Sequence, residues 1–155
     1  MSSDQATVER VIPAAPGPIF DLLADPARHT EIDGSGTVKD ARGGSTRLGL
    51  GSRFGMGMRI VGPYRMVSTV VEFEEDRRIA WQSFPDYPFA GKLAGGRIWR
   101  YELEPVEGGT LVRETWDISQ ERIKALVRPA RGKTLEAMTR TLERIEEIVT
   151  KKAPA

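Results

Sequence analysis

The chain lacks cysteine altogether, has a single histidine and carries only 7% aromatic residues. Without cysteine there is no disulfide staple, no thiol nucleophile and no cysteine-based metal site, and the absence fits a reducing compartment. With one histidine, His29, the two-histidine metal motifs are excluded, and any histidine-dependent chemistry has to use that residue. No apolar run approaches the ~18 residues of a membrane span. The opening MSSDQATVER lacks the charged-then-apolar pattern of a secretory leader. Charge of one sign is missing too: 23 basic side chains are interspersed with 22 acidic ones, for a net charge of +1. Such a balance provides no basic surface for nucleic acid or an anionic membrane. These absences lead us to expect a soluble, cytoplasmic protein with no nucleic-acid partner, no membrane insertion, no cofactor and no metal.

The 155 residues fit one domain, which the patterning places at residues 5–151. Its most regular stretch is RGKTLEAMTRTLERIEEIVTK, from Arg131 to Lys151. Leu135, Met138, Leu142, Ile145 and Val149 are spaced three, four, three, four, which makes one apolar stripe on a helix, widened by Ile148. Glu136, Arg140, Glu143, Arg144 and Glu147 take the other face. A helix of this length spans roughly 30 Å, and its stripe needs a surface to lie on.

The rest of the chain supplies one. Thr7 to Ile12 alternates as a strand and stops at Pro13. Pro16-Gly-Pro18 opens a short helix, proline being tolerated in a first helical turn. Pro26 begins a second short helix through Ile32, capped by Asp25. A weak strand lies near Thr37–Asp40. From Ser52 the alternation is regular: Phe54, Met56, Met58 and Ile60 share a face. In Tyr64 to Glu74, Val67, Thr69, Val71 and Phe73 alternate with Ser68, Val70, Glu72 and Glu74. After a turn at 75–77, Ile79, Trp81 and Ser83 share a face. A long Pro/Gly loop at 85–96 leads to Trp99, Tyr101 and Leu103, expected inward, and Glu107-Gly108-Gly109 is a hairpin signal. In the last strand Val112, Glu114 and Trp116 oppose Leu111, Arg113, Thr115 and Asp117. Strands joined by short turns are antiparallel, so the class is α+β: a sheet of about 6–7 strands on the long C-terminal helix, with two short helices after strand 1. A sheet that curls around a helix encloses a space between them, the natural ligand site.

The phrases IPAAPGPIFDLLADPARHTEID, VVEFEEDRRIAWQ and GGRIWRYELEPVEGGTLVRETWD, together with the long helix, resemble the START-like, helix-grip superfamily, also called the SRPBCC or polyketide cyclase/dehydrase family. The resemblance spans nearly the whole chain and implies a helix-grip fold, a curved antiparallel sheet wrapped on the C-terminal helix. It also implies a cavity that takes a small hydrophobic or amphipathic molecule, lipid- or polyketide-like. Some members of the family cyclise or dehydrate such molecules.

The expected cavity lining is Phe54, Met56, Met58, Trp81, Trp99, Tyr101, Glu114, Trp116, Leu135, Met138 and Leu142. Each of the apolar ones equally suits a packed core. If Val112 and Trp116 face the cavity, alternation takes Glu114 there too, and a carboxyl in an apolar pocket has its pKa raised and is able to work as an acid or base. Alternatively the strand turns its other face inward, or Glu114 pairs with an arginine such as Arg59 or Arg100. Tyr101 either orients a ligand oxygen or is a core tyrosine with a satisfied hydroxyl. His29, in an H-x-E-x-D phrase with Glu31 and Asp33, has no metal-ligand spacing and reads first as an exposed loop residue. The catalytic candidates are therefore Glu114, Tyr101 and His29. GLGSRFGMG lacks the Gly-Lys-Ser/Thr of a phosphate loop and precedes a strand, so its glycines are turn or bulge residues. The arginines of LVRPARGK read as a solvated helix entry. Three functions follow: binding of a small hydrophobic ligand, a cyclase or dehydratase working in the same cavity, or a protein-interaction module whose core is filled, which cavity volume separates from the first two. The oligomeric state, monomer or homodimer, stays open.

Overall fold

A computed structural model of the chain describes residues 4–34, 38–42, 47–59, 63–87 and 94–151, without the side chains of 38–42, 56, 58, 59, 63 and 64. Strand β1 (Gln5–Ile12) leads into helix α1 (Pro16–Ala24). No side chain caps α1; Pro16 fills the first turn, where its missing N–H has no intrahelical partner. Asp25 ends α1 and accepts from the Ala27 N–H at 3.0 Å, starting a single 3₁₀ turn at Pro26–Arg28 that passes into helix α2 (His29–Ile32). The second short helix expected from Pro26 to Ile32 is therefore half 3₁₀ and half α.

Six further strands follow: β2 (Val38–Arg42), β3 (Arg53–Arg59), β4 (Pro63–Glu74), β5 (Arg78–Pro85), β6 (Arg97–Val106) and β7 (Gly109–Asp117). They form one curved, antiparallel seven-stranded sheet in the order β1-β7-β6-β5-β4-β3-β2. Each neighbouring pair from β2 to β7 is joined consecutively, and β1 closes on β7, so β1 and β2 are the edges. A short helix α3 (Lys124–Val127) and a 3₁₀ turn at Arg128–Ala130 deliver the chain to helix α4 (Arg131–Thr150). Helix α4 lies against β1, β7, α1 and α2.

The register lines side chains up in rows across the sheet. Trp81, Trp99 and Trp116 pair directly on β5, β6 and β7, with Val70 on β4 and Ala6 on β1 at the ends of the row. The next row runs Phe73, Ile79, Tyr101, Glu114 and Val8. In both rows the large apolar side chains of β6 and β7, with Glu114, are buried toward α4, while Thr115 and Asp117 are buried on the other face of β7. For β6 this is the inward face that alternation assigned; for β7 it decides between the two faces that the sequence left open.

Strand β4 departs from simple alternation. A bulge between Val70 and Glu72 leaves Val71 opposite no partner, so the inward set switches from Ser68 and Val70 to Phe73. Ser68 lies inward and shares a 2.7 Å hydroxyl hydrogen bond with Ser83. The face expected to hold Val67, Thr69 and Val71 together with Phe73 is thus split, and Val71 is exposed.

Helix α4 serves two packed clusters. Leu142 and Ile145 join Ile12, Ile19, Phe20, Leu23, Ile79 and Val112 in the larger one, with Ile148 and Val149 packed at its border. Met138, bordered by Leu135, packs with Ala6, Trp116, Ile118 and Val127 in the smaller one. Each fully buried aliphatic side chain contributes about 1.5–3 kcal/mol. The helix is also tied by Arg10 on β1, whose Nε donates to Glu146 at 3.0 Å, and by Gly34, just after α2. The Gly34 N–H donates to Thr141 Oγ1 at 2.9 Å, and its carbonyl accepts from Arg140 Nε at 2.7 Å. A Cβ on Gly34 would run into the Ala137 carbonyl, so only glycine allows this approach.

Candidate functional site

The site is built on the sheet face under α4. Strands β6 and β7 place Tyr101 and Glu114 side by side, and the Tyr101 hydroxyl donates to Glu114 Oε2 at 2.8 Å. Glu114 is 2% exposed, and its other oxygen, Oε1, has no hydrogen-bond partner among the described residues. Arg100 does not reach it. That side chain lies on the opposite face, where it donates to Glu72 at 2.7 Å and approaches Asp117 at 3.7 Å. The side chain of Arg59 lies outside the described residues.

Burial pushes the Glu114 carboxyl up from 4.5 to about 8; the Tyr101 hydrogen bond opposes the rise and the negative charge of Asp33 adds to it. Tyr101 is driven well above its ordinary value, first by burial and then by the Glu114 charge. The shift favours the protonated acid at neutral pH. Tyr101 donates to Oε2, and Oε1 has no hydrogen-bond partner among the described residues.

His29 enters the same region from α2. The expectation of an exposed loop histidine is wrong: the ring is 4% exposed. It stacks on Trp81 with centroids 4.9 Å apart and meets Phe54 edge-on at 5.4 Å. Trp81 in turn lies 5.6 Å from the Tyr101 ring. Histidine, tryptophan and tyrosine thus form a continuous aromatic path that ends on the carboxyl of Glu114. His29 Nε2 is 2.9 Å from the Leu23 carbonyl oxygen, which can only accept, so Nε2 carries the hydrogen. Burial lowers the imidazole pKa from 6.5 to about 4, an effect the Leu23 bond offsets in part. The ring is neutral near pH 7, and its Nδ1, also without a partner among the described residues, is an acceptor. A third buried atom without a partner among the described residues is the Trp116 Nε1–H donor, two residues from Glu114 on the same face of β7.

The residues singled out from sequence divide into three sets. Phe54, Trp81, Tyr101, Glu114 and His29 come together, with Leu142 in the same cluster. Trp116, Met138 and Leu135 lie in the neighbouring smaller cluster, and Trp99, half-buried, borders both. Met56 and Met58 follow Phe54 on β3, but their side chains lie outside the described residues. The H-x-E-x-D phrase splits: Glu31 pairs with Arg28 at the surface, while Asp33 acts electrostatically on Tyr101 and Glu114. Sequence reasoning gave Asp33 no place in the site. Its only signal was its two-residue spacing from Glu31, which says nothing about the sheet it approaches. Among the described residues, no group of three or more His, Asp or Glu side chains is placed to hold a metal ion. Nor is any helix among them long and apolar enough to cross a membrane.

What this arrangement offers chemically is three buried polar atoms, Glu114 Oε1, Trp116 Nε1 and His29 Nδ1, that no hydrogen bond among the described residues uses. Known proteins place the scaffold. The crystal structure of protein CV1439 from Chromobacterium violaceum superposes with a TM-score of 0.73, covering 97% of this chain and 100% of that one at 15% identity. The solution structure of the Aha1 dimer from Colwellia psychrerythraea gives 0.62, with 96% and 98% covered at 18% identity. At such identities the likeness is one of fold. The uncharacterized protein Rv0088 of Mycobacterium tuberculosis is 36% identical over 113 residues, which is 72% of this chain and 45% of that protein. The chain thus spans about half the length of the curated relatives it matches. The family described as polyketide cyclase / dehydrase and lipid transport matches residues 3–149. The seven-stranded sheet closed by a long C-terminal helix and the match over nearly the whole length give the same answer: the chain belongs to the polyketide cyclase/dehydrase and lipid transport family, with the START-like helix-grip fold.

Proposed function

We propose that the protein is a single START-like domain that binds a small hydrophobic or amphipathic molecule between the sheet and α4. The observation that carries this reading is the Glu114 carboxyl, 2% exposed and with one oxygen unpartnered among apolar side chains. Buried polar groups are nearly always hydrogen-bonded, and leaving one unmet costs about 1–3 kcal/mol. A ligand with one polar group on an apolar body meets that need, while its body replaces contacts with Trp81, Phe54 and Leu142. The absence of cysteine supports a cytoplasmic setting.

The reading is tested by native mass spectrometry of the purified protein and by titration with Nile red, an uncharged fluorescent probe of apolar sites. A co-purifying small molecule, or a saturable blue-shifted emission that such a molecule displaces, is expected. A spectrum of the bare chain alone together with a flat titration rejects the reading.

A second reading, a cyclase or dehydratase in the same space, is favoured by the Tyr101–Glu114 bond. An acid held protonated at neutral pH is able to give its Oε1 proton to a ligand carbonyl or a departing hydroxyl. The carboxylate left behind keeps the Tyr101 hydrogen bond. In a dehydration the C–O bond breaks as that proton arrives, and the proton from the adjacent carbon goes to the bare His29 Nδ1. Glu114→Gln then abolishes turnover of a β-hydroxy ketone while binding persists; full turnover in that variant removes Glu114 from the chemistry.

A further inference from the structure

The net charge of +1 hides a local excess. Between Glu121 and Glu136 the chain carries five cations and no acid. This stretch forms α3, the 3₁₀ turn and the start of α4, and of residues 122–133 all but Lys124 and Val127 are exposed. Asp4 reaches it, with carboxylate oxygens 3.2 Å from Lys124 Nζ and 3.2 Å from Arg128 Nη2. With Asp4 and the exposed Glu136, one turn along α4, set against them, the five cations still outnumber two acids. The flanking Glu121 is buried and turned to the Gly95 N–H at 2.7 Å and to Arg97 at 3.3 Å. Helix α4 adds to the excess: it starts with no side-chain cap and no acid in its first turn, so the positive end of a 20-residue helix dipole is exposed here. Two apolar side chains stand among these charges, Leu126 at 67% exposure and Ile123 at 41%. Val127, buried with Trp116 and Met138, fastens the segment to the body and leaves Leu126 on the outside.

We propose that this face docks the protein onto the surface of an anionic lipid bilayer, whatever the interior binds. Arg122, Arg131 and Lys133 meet the lipid phosphates, and Leu126 and Ile123 enter the layer just beneath them. The mixture of side chains selects the partner. A nucleic-acid backbone answers the cations but offers no apolar layer behind its phosphates for Leu126 and Ile123. A second copy of the same face would set like charges against each other. A bilayer interface supplies both parts at once, negative head groups and the acyl chains below them. The contact is peripheral, since no helix among the described residues is long and apolar enough to cross a membrane. Docking in this way brings to the lipid the side of the molecule on which Val127, Met138 and Trp116 pack.

The experiment is co-sedimentation of the full chain with vesicles of phosphatidylcholine alone and of phosphatidylcholine mixed with phosphatidylglycerol. Binding to the mixed vesicles is expected to be at least about tenfold tighter than to the neutral ones, and to weaken as added salt screens the charges. Leu126→Asp is expected to weaken it by at least about tenfold, the loss of one apolar side chain from the layer. Arg131→Gln with Lys133→Gln is expected to do the same, each cation near the surface being worth about fivefold. Both changes are at exposed positions, and circular dichroism should show the fold intact. No binding to the mixed vesicles at low salt, or equal binding to the two kinds, overturns the proposal. So does unchanged binding in either variant. A duplex oligonucleotide bound as tightly as the mixed vesicles, and equally by Leu126→Asp, means that charge alone acts and overturns it too. The Nile red titration of the interior is independent of every one of these results.

Discussion

A carboxyl whose pKa is raised by burial in the core makes stability depend on pH. Glu114 has an ordinary value of 4.5 and about 8 in the folded chain. The folded state therefore holds a proton that the unfolded state releases between those two values. Its contribution is complete below pH 4.5 and is lost as pH rises through 8, tenfold in the folding constant for each pH unit, about 5 kcal/mol over the interval. His29 works in the opposite sense. Its pKa is depressed from 6.5 to about 4, so the unfolded chain takes up a proton that the folded chain refuses. Stability then rises with pH from 4 to 6.5, by about 3 kcal/mol.

The two opposing slopes cancel between pH 4.5 and 6.5 and separate above it. Urea unfolding of the wild type should give a nearly level stability over the lower interval and a fall of about 2 kcal/mol from pH 6.5 to 8, where only Glu114 still titrates. In Glu114→Gln the amide has the shape of the protonated acid but no proton to lose. Its curve should rise by about 3 kcal/mol up to pH 6.5 and then stay level. The difference between the variants should widen by a factor of ten per pH unit. Parallel curves from pH 6.5 to 8 would refute the reasoning, because they would mean that Glu114 ionises in the folded chain as it does in the unfolded one.

Three substitutions probe the supports of the site. Met138→Ala empties the centre of the smaller cluster against Trp116, and urea unfolding should register a loss of about 2–5 kcal/mol, with a changed tryptophan emission. Gly34→Ala drives a methyl into the Ala137 carbonyl and loosens the bonds to Thr141 and Arg140; about 1–3 kcal/mol should be lost, read as a drop in Tm. Tyr101→Phe strips Glu114 of its one hydrogen bond at a cost of about 1–3 kcal/mol at pH 6, and it moves the acid's titration further upward because that bond is what restrains it.

How much of this was legible in the sequence depends on how far each feature reaches. Tyr101 and Glu114 were readable because strand side chains alternate with a period of two, and one face of β6 and β7 is mostly apolar. Helix α4 was readable from its stripe alone. The division of that stripe was not: Leu142 packs with Ile145, while Leu135 and Met138 go with Trp116. A helix pattern shows that residues share a face but not which strand lies beneath each. The bulge in β4 was invisible because Val70 and Val71 are equally apolar, and only pairing with β5 decides which turns inward. His29 was misplaced for a similar reason. Its neighbours in sequence are polar, while its neighbours in space are Phe54 and Trp81, 25 and 52 positions further along the chain.

The same distinction bears on function. Several polar residues of the outer sheet face are matched locally: Arg100 with Glu72, Arg113 with Glu9, Thr7 with Thr115. On the inner face the hydroxyls of Ser68 and Ser83 satisfy each other, yet Glu114, His29 and Trp116 each keep one atom unmet. Hydrophobic residues of similar size in those three places would remove the unmet atoms, but they would also take the acceptor from the Tyr101 hydroxyl and the donor from the Leu23 carbonyl. The three unmet atoms share a sheet face or stack onto it, in a family described by cyclase, dehydrase and lipid-transport activities. Their presence together is what supports the proposal of a bound ligand over that of a merely packed interior.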